Sequence, residues 1–164
     1  MNLIVAVDRN WGIGCNNELL ARIPEDMKHF REKTLGKTVV MGRKTFESLP
    51  NGALPDRENI VFTRNKEFSA ENVEVFLCDA ESSGQMFFYI PKNSDDMFVI
   101  GGAEIYKFFL PYCKRAYVTK IDAEFPADRF MENLDEHPDW TVESAEKMST
   151  QSGVDIEFVT YIRN

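Results

Sequence analysis

Two junctions, in each of which a short apolar run ends in glycine and a helical pattern begins at once, constrain the fold of this chain most. They are TVVMGRKTFESL (Thr38–Leu49) and MFVIGGAEIYKFFL (Met97–Leu110). A helix N-terminus preceded by glycine exposes unpaired N–H groups that a phosphate can approach closely. Arg43 and Lys44 add two cations at the first junction. The pair suggests a ligand with a diphosphate and an extra phosphate, such as a phosphorylated dinucleotide; the alternative is two ordinary strand-to-helix turns.

Chain length, composition and net charge exclude several classes of protein. A chain of 164 residues with 43% hydrophobic residues is the size of one domain with a full core. No apolar run approaches the ~18 residues of a membrane span, and the N-terminus lacks the features of a signal peptide. A net charge of −8 argues against binding to nucleic acid, although it allows a local cationic pocket. Three unclustered cysteines favour a reducing cytoplasm over a disulfide framework.

Secondary-structure patterns along the chain alternate between strands and helices. Helices are predicted at Glu25–Leu35, preceded by Pro24 and closed by Gly36, and at Arg43–Leu49 and Ala103–Leu110. Strands are predicted at Leu3–Val7, Lys37–Met41, Asn59–Thr63, Val73–Leu77, Phe98–Ile100 and Arg115–Asp122. Thr141–Lys147 and Asp155–Ile162 alternate with period two, which is typical of an antiparallel pair. The fold class is therefore α/β, with a mixed, largely parallel central β-sheet, helices on both faces and a C-terminal antiparallel hairpin.

Two segments are less regular. Asp8–Ala21 contains two glycines and an Asn-Asn pair, and it is predicted to be a long irregular loop, either a functional cover or disordered. Trp11 within it is expected to pack or to cover a ligand, whereas Trp140 is expected in the core. Ala80–Ile90 is ambiguous, and a short helix ending before Pro91 is predicted there.

Asp26 is the first candidate for a functional carboxylate. Asp26, Met27 and Phe30 fall within roughly a 100° arc of the predicted helix, so a carboxylate is placed among apolar side chains on its inward face. The alternative is an ordinary first-turn acid that interacts with the helix dipole. Burial raises the pKa of such a carboxyl and the helix N-terminus lowers it, so both directions stay open. No GxSxG, CxxC, HExxH, GxGxxG or P-loop motif occurs, and His29 and His137 lack evident metal partners, so no metal site is expected.

Six segments carry a family resemblance: AVDRNWGIG, IPEDMKHFRE, VVMGRKTFESLP, LPDREN, FVIGGAEIY and VTKIDAEFPAD. In their order and spacing the chain resembles the dihydrofolate reductases, over its whole length. The resemblance implies an oxidoreductase of one-carbon metabolism and an antifolate target, which reduces 7,8-dihydrofolate to 5,6,7,8-tetrahydrofolate with NADPH. It implies a single domain over 1–164, with an adenosine-binding subdomain at about 38–106. It also implies that the protein acts as a monomer.

On the substrate side, the resemblance implies that Asp26 binds the 2-amino group and N3 of the pterin and that Thr119 supports this contact. Arg57 matches the arginine that pairs with the α-carboxylate of folate, a task suited to a planar bidentate donor. The other implied substrate-binding residues are Ile4, Val5, Ala6, Met27, Phe30, Arg31, Leu49 and Leu54. Asp26 is expected to favour protonation of N5, with water delivering the proton.

On the cofactor side, the resemblance places the nicotinamide, the diphosphate and the 2′-phosphate along successive motifs. Thr63 and Arg64, helped by Arg43, match the 2′-phosphate site and favour NADPH over NADH. Gly101-Gly102 matches a glycine pair with a cis peptide bond. The implied cofactor-binding residues are Ala6, Ile13, Gly14, Gly42, Arg43, Lys44, Thr45, Thr63, Arg64, Ile100, Gly101, Gly102, Ala103, Glu104, Ile105 and Tyr106. Residues 10–20 correspond to a mobile cover over the nicotinamide, whose movement limits turnover in many enzymes.

Two departures from the family pattern bear on function. Leu19-Leu20-Ala21 stands where the family usually has Leu-Pro-Trp, and Ala21 can neither donate a hydrogen bond nor fill the volume of tryptophan. Arg129 stands where threonine commonly follows the aspartate. Two other functions are therefore weighed beside the first: the related reductase of riboflavin biosynthesis, and a nucleotide-binding module without catalysis. Arg57 and Asp26 favour the folate reductase, and Ala21 supports the inert module.

Overall fold

The computed structural model describes residues 1–78 and 95–164 of the chain. The helices are α1 (Pro24–Thr34), α2 (Arg43–Ser48) and α3 (Ala103–Phe109), the last followed by a 3₁₀ turn at Leu110–Tyr112. The strands are β1 (Asn2–Val7), β2 (Gly12–Cys15), β3 (Glu18–Leu19), β4 (Thr38–Gly42), β5 (Glu58–Thr63), β6 (Glu74–Leu77), β7 (Met97–Gly101), β8 (Arg115–Ile121), β9 (Arg129–Phe130), β10 (Trp140–Ser149) and β11 (Asp155–Arg163).

The main sheet has eight strands in the described part of the chain, in the order β10-β11-β8-β1-β7-β4-β5-β6. The neighbours from β8 to β6 run parallel, whereas β11 pairs antiparallel with β8 and with β10. Parallel neighbours need crossover connections, and those connections carry the helices. The predicted mixed sheet, parallel at its centre with a C-terminal antiparallel pair, is confirmed.

Both faces of the central strands are buried. In β4, Val40 packs in the same cluster as Tyr106 and Phe109 of α3, while Val39 and Met41 pack with Phe46 of α2. Alternate residues of a strand point to opposite faces, so α2 and α3 cover opposite sides of the sheet. This two-sided burial explains why the runs before the two glycine junctions, in β4 and β7, are apolar at nearly every position.

A second, smaller sheet was not expected. Within Asp8–Ala21, predicted as an irregular loop, β2 and β3 form a hairpin, and β9 adds to the other edge of β2. The hairpin turn is Asn16-Asn17, with φ of 51° and 62°, and two positive φ values are what a tight hairpin turn requires. The prediction of a loop was wrong because the strands are very short and β9 lies more than 100 residues further along the chain.

The other elements agree with the predicted ones to within about two residues at each end. Gly36 ends α1 with a φ of +74°, a conformation that favours glycine. Trp11 and Trp140 are both buried, Trp11 in the core cluster rather than over a ligand site. The helix predicted at Ala80–Ile90 lies outside the described residues. No helix in the described ranges has the length and apolar character needed to cross a bilayer.

Candidate active site

Asp26 lies in the first turn of α1 and reaches the central sheet. The hydroxyl of Thr119 on β8 donates a hydrogen bond of 2.6 Å to Asp26 Oδ1. Thr119 is itself buried, and its direct neighbour on the adjacent strand β1 is Ala6. Since paired strands are only ~5 Å apart, the carboxylate lies close to whatever contacts Ala6.

The surroundings of Asp26 determine the direction in which its pKa is shifted. Burial raises the pKa of the Asp26 carboxyl above its ordinary value, and the hydrogen bond from Thr119 offsets part of this rise. The two opposing directions left open by the sequence are thus resolved in favour of burial. Burial raises the pKa of Tyr106, with a smaller contribution from the nearby Asp26 carboxylate, so its hydroxyl stays protonated. That hydroxyl donates to the carbonyl of Ile4 at 2.8 Å and ties α3 to β1.

Met27 does not pack inward as the helix arc predicted. Its side chain is 49% exposed, whereas Phe30 is half-buried. Successive helical residues are ~100° apart, so Met27 falls at the solvent edge of the arc that Asp26 and Phe30 share. Met27 therefore lies at the border of this face, where its exposed side chain stays accessible to a bound ligand.

Arg57 is held by α1 and by its own loop. Its Nε donates to the hydroxyl of Thr34 at 2.8 Å, and Nη1 donates to the carbonyl of Pro55 at 2.9 Å. The guanidinium lies 5.9 Å from the ring centre of Phe30. Partial burial and the neighbouring cation Arg31 lower the pKa of Arg57. Two adjacent cations beside an aromatic ring form a site that favours an anionic group.

The other residues predicted to bind the substrate lie in several separate places in the fold. Leu49 and Leu54 pack on the cluster formed by Val39, Met41 and Val61. Ile4 is buried in β1, and Val5 and Ala6 line a cavity beside it. Ala21 packs in a small apolar cluster with Ile23, Ile121 and Ile156, and Arg22 is exposed.

A cavity of about 540 Å³ lies between the main sheet and the small sheet. Every residue predicted to bind the cofactor lines it, from Ala6, Ile13 and Gly14 through the α2 junction to the α3 junction. Its lining includes the cations Arg43, Lys44, Arg64 and Arg129, in a chain whose net charge is −8. The local cationic pocket allowed by the sequence is present here.

The two glycine junctions give this cavity its shape. A Cβ placed on Gly42 would lie 3.1 Å from Cγ1 of Ile105, and Gly101 has a φ of +129° that favours glycine. The peptide bond between Gly101 and Gly102 is cis, as the resemblance implies. Backbone free of side chains, with cations around it, fits an elongated phosphate-bearing ligand, and the volume is typical of small-molecule sites.

Both arginines predicted for the 2′-phosphate have carboxylate partners. Arg43 Nη1 donates to both oxygens of Glu47, at 2.8 and 3.0 Å. Arg64 Nη2 lies 3.7 Å from Oε2 of Glu104, and both side chains are largely exposed. The hydroxyl of Thr63 accepts a hydrogen bond from the backbone of Asn65, which shapes the turn that carries Arg64.

The small sheet is fastened to the rest of the protein through Asp8. This buried carboxylate accepts hydrogen bonds from the backbone N–H groups of Asn10, Gly12 and Phe125, at 2.9, 2.8 and 3.1 Å. Asp128 Oδ2 accepts from the N–H of Asn16 at 3.0 Å. The strands that line one side of the cavity are therefore joined both to β1 and to the segment before β9.

Several cavity-lining residues were not predicted. They come from the hairpin, from the ends of α2, β5 and β6, and from β9: Cys15, Asn17, Glu18, Leu19, Ser48, Phe62, Asn65, Cys78 and Arg129. The hairpin residues fall within the predicted cover, and Arg129 was noted only as a departure from the family. Among residues 1–78 and 95–164, no group of three His, Cys, Asp or Glu side chains is placed to hold a metal ion.

Comparisons with known proteins agree with this geometry. The family model for dihydrofolate reductase matches residues 1–163. The chain is 38% identical to dihydrofolate reductase of Bacillus subtilis over 163 residues, covering 98% of this chain and 93% of the relative. It is 38% identical to the Staphylococcus haemolyticus enzyme over 149 residues, covering 90% and 84%.

A solved structure shows the same fold. Dihydrofolate reductase from Enterococcus faecalis, complexed with NADP(H) and RAB-propyl, superposes with a TM-score of 0.85 at 32% identity, covering 99% of this chain and 95% of that one. With 99% of this chain covered, the match extends over the mixed sheet. The chain belongs to the dihydrofolate reductase family.

Proposed function

We propose that this protein reduces 7,8-dihydrofolate to 5,6,7,8-tetrahydrofolate with NADPH, the reaction of its family. One observation carries the proposal. The Asp26 carboxylate, hydrogen-bonded by Thr119, is one strand away from Ala6 in the wall of the cationic cavity. A proton-directing acid and a dinucleotide site are thereby adjacent, as a hydride transfer to a pterin requires.

Asp26 binds the 2-amino group and N3 of the pterin in this proposal. Bound NADPH supplies the hydride that C6 receives, and the protein supplies position and a site shielded from water. The negative charge of Asp26 favours the state in which N5 is protonated, and water delivers that proton. Thr119 holds the carboxylate at the sheet and limits the rise of its pKa.

Arg57 binds the α-carboxylate of the glutamate tail. Its Nε and Nη1 are engaged with Thr34 and Pro55, which orients the plane of the guanidinium and leaves Nη2 and the second Nη1 hydrogen for the ligand. Met27, Phe30, Arg31, Leu49 and Leu54, with Ile4, Val5 and Ala6, surround the rest of the substrate.

NADPH occupies the cavity in this proposal, with the nicotinamide beside Ala6, Ile13 and Gly14. Arg43, Lys44 and Thr45 hold the diphosphate, Thr63 and Arg64 hold the 2′-phosphate, and the Gly101 junction admits the backbone of the cofactor. The adenosine end falls within residues 38–106, which we propose as the adenosine-binding subdomain.

We further propose that the protein acts as a monomer in the cytoplasm, without nucleic-acid or membrane partners. The net charge of −8 would repel a phosphate backbone. Cys15 and Cys113 are free thiols, which suits a reducing compartment. Gel filtration with light scattering tests the monomer directly, and a mass near twice 18.9 kDa would refute it.

The decisive experiment compares two carboxylates of the same helical turn. Asp26→Asn is expected to lower single-turnover hydride transfer at pH 7 by about 10²- to 10⁴-fold, with NADPH binding nearly unchanged. Glu25→Gln is the matched control, since Glu25 contacts the backbone of Gln151 instead of the sheet, and it should keep the wild-type rate. Equal rates for wild type and Asp26→Asn would remove the proposed role.

Loss of nicotinamide absorbance on adding dihydrofolate tests the function as a whole. Turnover with dihydrofolate rejects the inert module, and turnover with a ribosylamino-pyrimidine but not with dihydrofolate would favour the riboflavin-pathway reductase. Absence of both activities at micromolar enzyme, with NADPH still bound, would leave the nucleotide-binding module as the explanation.

A further inference from the structure

A carboxylate and a guanidinium lie side by side where the cavity is proposed to receive the 2′ position of the adenosine ribose. Arg64 Nη2 and Glu104 Oε2 are 3.7 Å apart, and both residues line the cavity. Their side chains are 77% and 90% exposed, so water screens the pair and the two groups separate readily. The inference drawn from this pair rests on the proposed binding of NADPH.

The two members of the pair suit different cofactors. In Rossmann-type dinucleotide sites, an acidic side chain accepts a hydrogen bond from a free ribose 2′-hydroxyl, whereas an arginine accommodates a 2′-phosphate, and the same chemistry applies to any site that presents both groups to the ribose. Arg64 therefore suits NADPH and Glu104 suits NADH. Neither side chain is buried or fixed by a short contact, so either ligand can select its own partner.

The carboxylate also acts against the phosphorylated ligand. Glu104 shares Arg64, and its negative charge repels a 2′-phosphate in the same part of the cavity. Arg43, the other arginine assigned to this phosphate, is held by Glu47 at 2.8 Å. A bound 2′-phosphate would therefore share both arginines with a carboxylate, whereas NADH needs neither arginine at this position.

We infer that Glu104 is a specificity-determining residue that allows this protein to bind NADH as well as NADPH. It lowers the affinity for NADPH by competing for Arg64 and by charge repulsion, and it raises the affinity for NADH by accepting the 2′-hydroxyl. The other charged groups of the lining, Lys44, Arg129 and Glu18, are not assigned to the 2′ position and are expected to act equally on both cofactors.

Equilibrium binding tests this inference without dihydrofolate. The dissociation constants of NADP⁺ and NAD⁺ are measured by titration calorimetry for wild type and for Glu104→Gln at constant ionic strength. The ratio of the NAD⁺ constant to the NADP⁺ constant should rise about tenfold in the variant, because a charged hydrogen bond is lost to one ligand and a repulsion is removed from the other. An unchanged or lower ratio would overturn the inference, as would a wild type that fails to bind NAD⁺ at millimolar concentration.

Two variants separate this role from structural effects. Glu104 is also a first-turn acid of α3, so its removal weakens a favourable interaction with the helix dipole; that effect changes both affinities equally and leaves the ratio constant. Glu104→Asp keeps the charge and should keep the ratio within about threefold of wild type. Glu71→Gln removes one charge outside the cavity lining and should leave both constants unchanged.

The outcome is distinguishable from failure of the proposed function. If the protein does not reduce dihydrofolate at all, the two binding constants are still measurable and still test Glu104. If it does, 2′-AMP and 5′-AMP as competitors locate the effect: Glu104→Gln should strengthen inhibition by 2′-AMP and not by 5′-AMP. Equal changes for the two competitors would place the effect of Glu104 away from the 2′ position and refute the assignment.

Discussion

Thr119→Val isolates the hydrogen bond that supports the Asp26 carboxylate. Valine has nearly the shape of threonine but cannot donate, so the 2.6 Å bond to Asp26 Oδ1 is lost while the buried strand position is kept. Because the bond lowers the pKa of Asp26, its loss should raise that pKa further. The variant therefore tests stability and proton chemistry together.

The expected cost depends on the charge of Asp26. A hydrogen bond to an ionised group contributes about 2 kcal/mol and one to a neutral group about 1 kcal/mol. The buried methyl group that replaces the hydroxyl contributes about 0.8 kcal/mol to stability through the hydrophobic effect, and this offsets part of the loss. Thr119→Val should thus lower the free energy of unfolding by about 1 kcal/mol when Asp26 is ionised, and by almost nothing when it is protonated.

The sign of the pH dependence follows from the raised pKa. Folding raises the pKa of Asp26, so the folded protein binds the proton more tightly than the unfolded chain and loses stability as pH rises through the folded pKa. The variant, with a higher pKa still, should lose more. Its deficit against wild type should therefore grow from pH 4 to pH 8.

Urea denaturation at the two pH values measures this deficit. Thr38→Val is the matched control, because the Thr38 hydroxyl donates to Glu58 at 3.1 Å on the exposed surface, and a change below about 0.5 kcal/mol is expected there. In single-turnover assays, the pH midpoint of hydride transfer should move upward in Thr119→Val. An identical deficit at both pH values, with an unmoved midpoint, would refute the reasoning.

Three further outcomes are expected. Asp8→Ala leaves three backbone N–H groups without their acceptor and should lower the free energy of unfolding by about 3 kcal/mol in urea titrations; a loss below about 1 kcal/mol would contradict the role of Asp8 in fastening the small sheet. Arg57→Lys should raise the KM for dihydrofolate at least tenfold with kcat little changed, since lysine cannot replace the planar donor that Thr34 orients; an unaltered KM would move the tail site elsewhere. Gly42→Ala places a Cβ 3.1 Å from Ile105 and should weaken NADPH binding in fluorescence titrations, and wild-type affinity would show that the junction tolerates a side chain.

The parts of the fold predicted from sequence are those with a strong local signal. The run before Gly42 and the helical pattern after it determine β4 and α2, and the period-two alternation of the last 25 residues determines β10 and β11. The two glycine junctions of the cavity were predicted from the same kind of signal, and they meet because both end parallel neighbours of one sheet. Other lining residues, including Ala6, Ile13 and Arg64, were predicted from the family resemblance.

The parts that were missed depend on contacts between distant segments. The β2 strand is four residues long, and only pairing with β9 and the turn at Asn16-Asn17 defines it as a strand. The exposure of Met27 depends on how α1 is rotated against the sheet, which the helical arc alone does not determine. The pairing of Arg64 with Glu104 joins two segments 40 residues apart, and no local pattern indicates it.

The attachment of the β2–β3 hairpin affects the rate of turnover. Besides the Asp8 contacts, the N–H of Met131 donates to Trp11 at 2.8 Å and the N–H of Asp128 donates to Gly14 at 3.0 Å, so main-chain bonds secure this side of the cavity. Movement of the hairpin away from the main sheet would have to break these bonds, so they oppose opening of this side of the cavity. We expect residues 128–131, far along the chain from the reacting groups, to set how long a product is retained before it escapes.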